Sequence, residues 1–293
     1  FEASRSVSKH EFALYVATLR LEESYPGILG IGFAPQLRHD RKAVHIAAMQ
    51  AEGLHSYSLW PAGTRRQYAP VIYLEPTNER NRKVFGYDLL SDPYRREALE
   101  RARDNGTAAL TAKLQLVQEG SRNQQPGCIM YLPVYRHGTT PRSPEQRRAE
   151  LTGWVSAPFR MNDLMVGILG AQNDTLDIEI YDGNEISDRT LLYDNDTARH
   201  TSGLTPRFQA RHSIEIGGRQ WTMITSSMPG FEKTVHKREL ILVAVASIGG
   251  SILLSLITWL LVSARSSALK TACNARLTAL ALQEAEKLAQ IGH

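Results

Sequence analysis

The stretch Leu240–Val262, LILVAVASIGGSILLSLITWLLV, decides how the rest of the chain is read. Its 23 residues carry no charge. At 1.5 Å per residue such a helix reaches about 34 Å, against about 30 Å for the hydrocarbon core of a bilayer. Glu239 and Arg265 bracket it, and Trp259 lies near one end, where an indole is favoured at the interface. A core helix of a soluble domain rarely runs this far with nothing more polar than Ser or Thr, so a transmembrane helix over 240–262 is expected. Three basic residues fall within 20 positions on each side (Lys233, Lys237 and Arg238; Arg265, Lys270 and Arg276), and the charge rule for orientation is balanced. Mass orients the span instead. Residues 1–239 read as an extracytoplasmic (periplasmic) folded region at the inner membrane, and 263–293 as a cytoplasmic linker helix. Helical character begins at once, so a first span is expected before Phe1.

Working back from the span, the pattern is mixed α+β. A helix is expected over 1–24, ended by Tyr25-Pro26-Gly27. Strands are expected at 28–33, 56–60, 71–74, 108–117, 127–135 and 151–159. Helices are expected at 38–52, closed by Gly53, and 93–105, closed by Gly106. Residues 25–160 thus form an α+β unit with a mostly antiparallel sheet and helices on one face. A short helix at 161–169 leads into a second, smaller α+β unit over 161–239. Its strands are expected at 176–181, 191–193, 208–216 and 220–226, with Gly217-Gly218 as the hairpin turn. Beyond the span, Cys273, Leu277, Leu280, Leu288 and Ile291 mark a short coiled-coil seam interrupted by Glu284.

The chemistry of the chain is sparse. Net charge is +4, but the arginine doublets Arg65-Arg66, Arg95-Arg96 and Arg147-Arg148 are isolated and lack interleaved aromatics, so no nucleic-acid partner is expected. Two cysteines, Cys128 and Cys273, provide neither a disulfide framework nor a thiolate metal site. No nucleophile elbow, P-loop, zinc-protease or C-x-x-C motif occurs, so no catalysis, metal or cofactor is expected of this segment. One residue is out of place. Asp88 lies in the apolar run Val84–Leu90, four positions ahead of Asp92-Pro93, which already make a complete helix start. Two accounts are open for it: a carboxylate bracing backbone N–H groups of its own loop, or an acceptor for a ligand N–H in an apolar pocket.

The motifs Tyr73-Leu74-Glu75-Pro76, Gly86-Tyr87-Asp88-Leu89, Arg95-Arg96-Glu97-Ala98, Ala102-Arg103-Asp104-Asn105-Gly106, Ala109-Leu110-Thr111, Tyr131-Leu132-Pro133-Val134-Tyr135 and Phe159-Arg160-Met161-Asn162-Asp163-Leu164 occur in order. Together they resemble the CHASE domain, the extracytoplasmic sensor of bacterial and plant receptors that include the cytokinin-receptor histidine kinases. The resemblance covers about residues 25–225. It implies a long N-terminal helix and two tandem PAS-like units, the membrane-distal one (25–160) holding a small-molecule ligand and the proximal one (161–239) next to the membrane. In the plant receptors an aspartate binds the adenine ring edge, and Asp88 matches it. A leucine 22 residues later, here Leu110, binds the ring through its backbone, and a pocket-lining aromatic after a glycine matches Trp154. A further polar contact of that pocket falls in Val117–Gly127, whose sequence differs, and is not carried over. The C-terminal Leu288–His293 resembles the approach to a cytoplasmic PAS domain.

The expectation is therefore a dimeric transmembrane sensor for an adenine-type or other small ligand. Its output, a histidine kinase or a diguanylate cyclase, would lie outside this segment. The competing expectation is a ligand-free structural or protein-interaction ectodomain.

Overall fold

The computed structural model describes residues 7–119, 124–170, 175–196, 205–234 and 241–266. The expected seam over Cys273–Ile291, the cytoplasmic helix from 267 onward and the first six residues lie outside these. The chain divides into two units, Phe1–Glu232 and Lys233–His293.

The first unit opens with α1 (Lys9–Thr18), started by a capping box between Ser8 and Glu11. Phe12 and Val16, one turn apart, are its buried residues. The helix expected over 1–24 is broken: Arg20 takes a φ of 46°, and the chain restarts as the single turn α2 (Leu21–Ser24). That turn is what lets Leu21 reach the core. There follow β1 (Ile31–Pro35), β2 (Leu37–Arg38), α3 (Lys42–Ala51), β3 (Gln67–Tyr68), β4 (Tyr73–Glu75), α4 (Glu79–Arg82), α5 (Pro93–Asn105), β5 (Ala109–Leu110), β6 (Gly127–Tyr135), α6 (Pro144–Glu150) and β7 (Leu151–Arg160). Five strands form an antiparallel sheet in the order β4-β1-β7-β6-β5.

The helices cover both faces of this sheet, not one as the sequence reading had it. Strand alternation explains the difference. Ala34, Leu74 and Trp154 point into one core with Ala98, Leu99 and Ala102 of α5. Their neighbours Phe33, Tyr73 and Val155 point into a second core with Phe12 and Val16 of α1 and Met49 of α3. Helix α5 has the bounds its punctuation predicts: Asp92 accepts from Arg95 N at 3.0 Å, Pro93 opens it, and Gly106 closes it at φ 71°. The strand expected over 56–60 is not formed. Only Trp60 makes a bridge, to Tyr87, because this segment hydrogen-bonds to the irregular Val84–Leu90 loop instead of the sheet. The strand expected over 108–117 shrinks to β5: Thr111 N–H still donates to Ile129 O at 2.9 Å, but the Ile129 N–H donates to the Thr111 hydroxyl instead of a carbonyl, and pairing with β6 recurs only as the isolated Leu114–Gly127 bridge.

The remaining elements are α7 (Met161–Leu169), β8 (Leu176–Asp182), β9 (Leu191–Asp194), β10 (Gln209–Ile216), β11 (Arg219–Ser227) and α8 (Pro229–Thr234). Their antiparallel sheet runs β10-β11-β8-β9. Numbered along the chain, the first sheet has the order 2-1-5-4-3 and the described strands of the second 2-1-4-3, the same order with the third place not filled among the described residues. Met161 and Met165 of α7 pack against Ile178, Ile180, Leu192 and Trp221 of this sheet.

In the other unit one helix, α9 (Ile241–Ser266), is long and apolar enough to cross a membrane. Leu242, Leu254 and Trp259 stand exposed along it, as a helix apolar on all sides requires of a lipid-like surrounding. Its hydroxyls at Ser247, Ser251, Ser255 and Thr258 each donate to the carbonyl four residues back.

Two features of the first unit have measurable consequences. Gly86 turns the chain at φ 77°, and a Cβ there would stand 2.0 Å from the Ser58 carbonyl oxygen. Gly86→Ala is expected to cost about 1–3 kcal/mol or more, read as a lowered Tm; an unchanged Tm would refute this steric reading. Asp104 joins α5 to α6: Arg148 and Arg103 donate to it at 2.6 and 2.7 Å and hold its carboxyl well below the usual carboxylate range. An aspartate in the unfolded chain titrates near about 3.9, so this contribution is complete above that pH and lost as pH falls towards the depressed folded value. Arg148→Gln should therefore lower Tm at pH 7, by a small amount because half-exposed ion pairs are screened, and the gap between parent and variant should close between about pH 4 and pH 2. Parallel acid limbs for parent and variant would contradict it.

Candidate functional site

Asp88 is buried completely. Its Oδ1 accepts from Ala69 N at 2.8 Å and Leu90 N at 3.1 Å, capping a 3₁₀ turn over Leu89–Ser91. Its Oδ2 makes no hydrogen bond, but Arg65 Nη1 lies 3.3 Å away, close enough for charge attraction and off the donor direction. Burial pushes the Asp88 carboxyl up; the Ala69 and Leu90 amides and the Arg65 and Arg96 guanidiniums act against that. The backbone continues the brace: Asp88 N donates to Trp60 O at 2.7 Å and Leu89 N to Ala69 O at 3.0 Å. Half of the carboxylate thus does what a loop brace does, and the other half faces a cation.

Trp154, on β7, is buried with its Nε1 donating to Leu99 O of α5 at 3.0 Å. With Leu90 and Arg65 it borders an arginine-lined cleft of about 480 Å3. Leu110 is elsewhere. Its N–H donates to Gly217 O at 2.9 Å, its carbonyl accepts from Arg101 Nη2 at 2.5 Å, and its side chain belongs to the core of the second sheet. The structure brings Asp88 and Trp154 to one neighbourhood and leaves Leu110 at the joint between sheets, with both backbone groups engaged.

A cavity does lie beside Asp88, but behind its neighbours. Tyr87 and Leu89 point opposite to Asp88 and line a small, partly open hollow of about 20 Å3, room for about one water, with Gln118 and Ser156 also on its wall. Val71, Leu74, Val84 and Ile129 make its apolar wall. Arg95 and Tyr131 bring polar atoms to it. Arg95 Nη1 donates to Asp92 at 2.7 Å and to the Tyr87 hydroxyl at 3.2 Å, and Nη2 to Gln115 O at 3.3 Å. Its Nε has no partner, and neither does the Tyr131 hydroxyl. Burial pushes the Tyr131 phenol far up, so it stays a neutral donor. Unpaired buried polar atoms cost about 1–3 kcal/mol each, and a small molecule offering acceptors would satisfy both. Neither is a site residue in the sequence reading, although each lies in a quoted motif. The signal was the alternation Tyr87, Asp88, Leu89, which puts Asp88 on the far side of the loop from its neighbours.

Among the described residues no group of His, Cys, Asp and Glu could hold a metal ion. The Cys128 thiol is buried and pushed up to about 12, which leaves it unreactive.

The profile of the CHASE domain family matches residues 5–193, more than half of the chain. The chain is 24% identical over 181 residues to hybrid signal transduction histidine kinase A of Dictyostelium discoideum, covering 55% of this chain and 8% of that protein. It is 26% identical over 184 residues to histidine kinase 2 of Arabidopsis thaliana (57% and 15%) and 25% identical over 195 residues to probable histidine kinase 5 of Oryza sativa subsp. japonica (61% and 16%). It therefore spans only a small part of these relatives' length. The periplasmic sensory domain of the Campylobacter jejuni chemoreceptor Tlp1 superposes with a TM-score of 0.41 at 9% identity, over 80% of this chain and 85% of that one. With its mixed α/β sheets and its apolar helix, this chain belongs to the CHASE family of extracytoplasmic sensory domains.

Proposed function

We propose that this segment is the ligand-sensing part of a homodimeric inner-membrane receptor whose cytoplasmic output is a histidine kinase. The two sheets are read as tandem PAS-like units, a distal one over 25–160 and a proximal one over 161–239. The shared strand order, less the edge strand of the second, supports this. Helix α9 then crosses the membrane over about 240–262, and 263–293 continue as a cytoplasmic linker. The relatives' names favour a kinase over a diguanylate cyclase as the output.

One observation carries the ligand reading: the small cavity of the distal unit with Arg95 Nε and the Tyr131 hydroxyl unpaired. The ligand class is a small molecule with two acceptors on an apolar body, an adenine-type ring among them. Its entry requires the Val84–Leu90 loop to move outward, because about 20 Å3 admits no ring. Asp88, Leu110 and Trp154 serve such a site from around it. Asp88 fixes the loop that carries Tyr87 and Leu89; Trp154 fixes α5, which carries Arg95; Leu110 ties the sheet to the next unit. For Asp88 to bind a ring N–H directly, Oδ2 would have to replace its contact with Arg65.

A ligand-free structural ectodomain is the second reading, favoured by the size of the cavity and by the engaged backbone of Leu110. Thermal unfolding of the full chain in detergent separates the two. An N6-substituted adenine at 100 times its Kd should stabilise the parent by about 2.7 kcal/mol. In Tyr131→Phe that stabilisation should shrink, while the unliganded Tm holds or rises, since deleting an unpaired buried hydroxyl removes a cost of about 1 kcal/mol or more. A falling Tm in unliganded Tyr131→Phe would show the hydroxyl already bonded and would refute the cavity reading. No stabilisation of the parent by any acceptor-bearing probe would favour the structural one.

A further inference from the structure

The arginine doublets that stand apart in the sequence meet in the fold. Arg65 and Arg66 precede β3, Arg96 and Arg103 lie on α5, and Arg148 lies on α6, all lining the cleft of about 480 Å3 bordered by Leu90 and Trp154. Positions 96, 100 and 103 share one face of α5 by their spacing of four and three. None of these residues lines the small cavity of the distal unit.

Three carboxylates stand against the five arginines: Asp104, Asp88 and Glu100, the last lining the cleft on the same face of α5 as Arg96 and Arg103, so the cleft keeps an excess of positive charge. Asp104 takes both Arg103 and Arg148. Asp88 takes Arg65, whose Nη1 lies 3.3 Å from Oδ2. Among the described residues neither Arg66 nor Arg96 is in a close ion pair, and Arg96 acts on Asp88 only at longer range. Arg96 Nε donates to Leu90 O at 2.9 Å, which fixes the plane of its guanidinium. On a convex surface these cations would be solvated and commonplace. Within a concave wall of low dielectric their field is focused and attracts counter-ions. A guanidinium fork also matches an oxyanion with two parallel hydrogen bonds. Asp88, useless as a donor site for an anion, acts here from behind, as the buried counter-charge that aims Arg65.

We propose that this cleft is a second binding site, distinct from the small cavity, that takes a compact phosphate dianion, free or as a phosphate monoester, on Arg66 and Arg96 with Arg65 positioned by Asp88. The test is thermal unfolding and titration calorimetry of the full chain in detergent with inorganic phosphate, glycerol phosphate or succinate, each at ionic strength held constant with sodium chloride. Phosphate should give a saturable rise in Tm, and Arg66→Gln/Arg96→Gln should weaken it by about tenfold or more while keeping the unliganded Tm within about 2 °C. The exposed Arg66→Gln alone serves if the double variant is unstable, with a smaller loss of affinity in the same direction. A stronger response to glycerol phosphate identifies an ester, and a stronger response to the free ion identifies inorganic phosphate. The proposal is overturned if phosphate does no more than sodium chloride, if the variants bind as tightly as the parent, or if succinate binds better than either phosphate.

Discussion

Leu110 belongs to two structures at once, and the rest of the first unit depends on that. It is the last residue of an edge strand only two residues long, paired with β6 at Met130. An edge strand leaves a row of backbone groups without partners. Here Gly217, at the tip of the β10–β11 hairpin, accepts from the Leu110 N–H, and Arg101 donates to its carbonyl. Its side chain is buried with Met161, Ile180 and Trp221 of the second sheet. Lys113 extends the same joint: its N–H donates to Asp182 at 2.8 Å, a carboxylate that Arg219 also holds at 2.8 Å. The edge of one sheet is thereby closed by the turn of the next, and the two sheets cannot shift past each other without breaking these hydrogen bonds.

A buried carboxylate is normally an expensive residue, and Asp88 shows how a fold makes one useful. Two amides from different segments, Ala69 and Leu90, converge on one oxygen, so the residue joins stretches nineteen positions apart where no regular ladder exists. Because the chain is extended there, bracing Asp88 on one side sends Tyr87 and Leu89 to the other. The brace and the cavity are consequences of the same alternation. Apolar neighbours around an acidic residue are equally compatible with both of its readings.

The elements legible in the sequence are those with local punctuation. Helix α5 begins at Asp92-Pro93 and ends at Gly106, and β6 and β7 are long enough for alternation to declare them. The small sheet was legible from its hairpin glycines. What failed depends on partners distant in sequence. Residues 56–60 have strand composition but pair with a loop, and at Thr111 a side-chain hydroxyl replaces one of the two ladder bonds to Ile129. Helix α6 was read as loop although Ser143, Pro144 and Gln146 form a capping box, because only seven residues follow before β7 and no buried residue marks a face. Of the candidate site, family motifs led to the loop that carries Tyr87 and Leu89 and to β7, which carries Trp154. Arg95 and Tyr131 were passed over because nothing local says that an arginine and a tyrosine thirty-six positions apart share a cavity.

Helix α5 is the one rigid element that touches every feature of functional interest. Arg95 reaches the small cavity, Arg96 and Arg103 the basic cleft, and Arg101 the Leu110 joint, while Leu99 O receives the Trp154 indole. Its buried stripe of Ala98, Leu99 and Ala102 rests on the sheet with two alanines, so the helix lies close and has little slack. A displacement at Arg95 cannot be absorbed within a single rigid turn; it must appear also at Arg101, two turns on and against the second sheet. The energy available for that displacement is limited to the difference in a ligand's affinity for the two positions of the helix, commonly about 1–3 kcal/mol. That is comparable to one buried hydrogen bond left unmade. Breaking or keeping the Arg101–Leu110 contact is therefore of the right size to register occupancy of a cavity on the far side of the same helix.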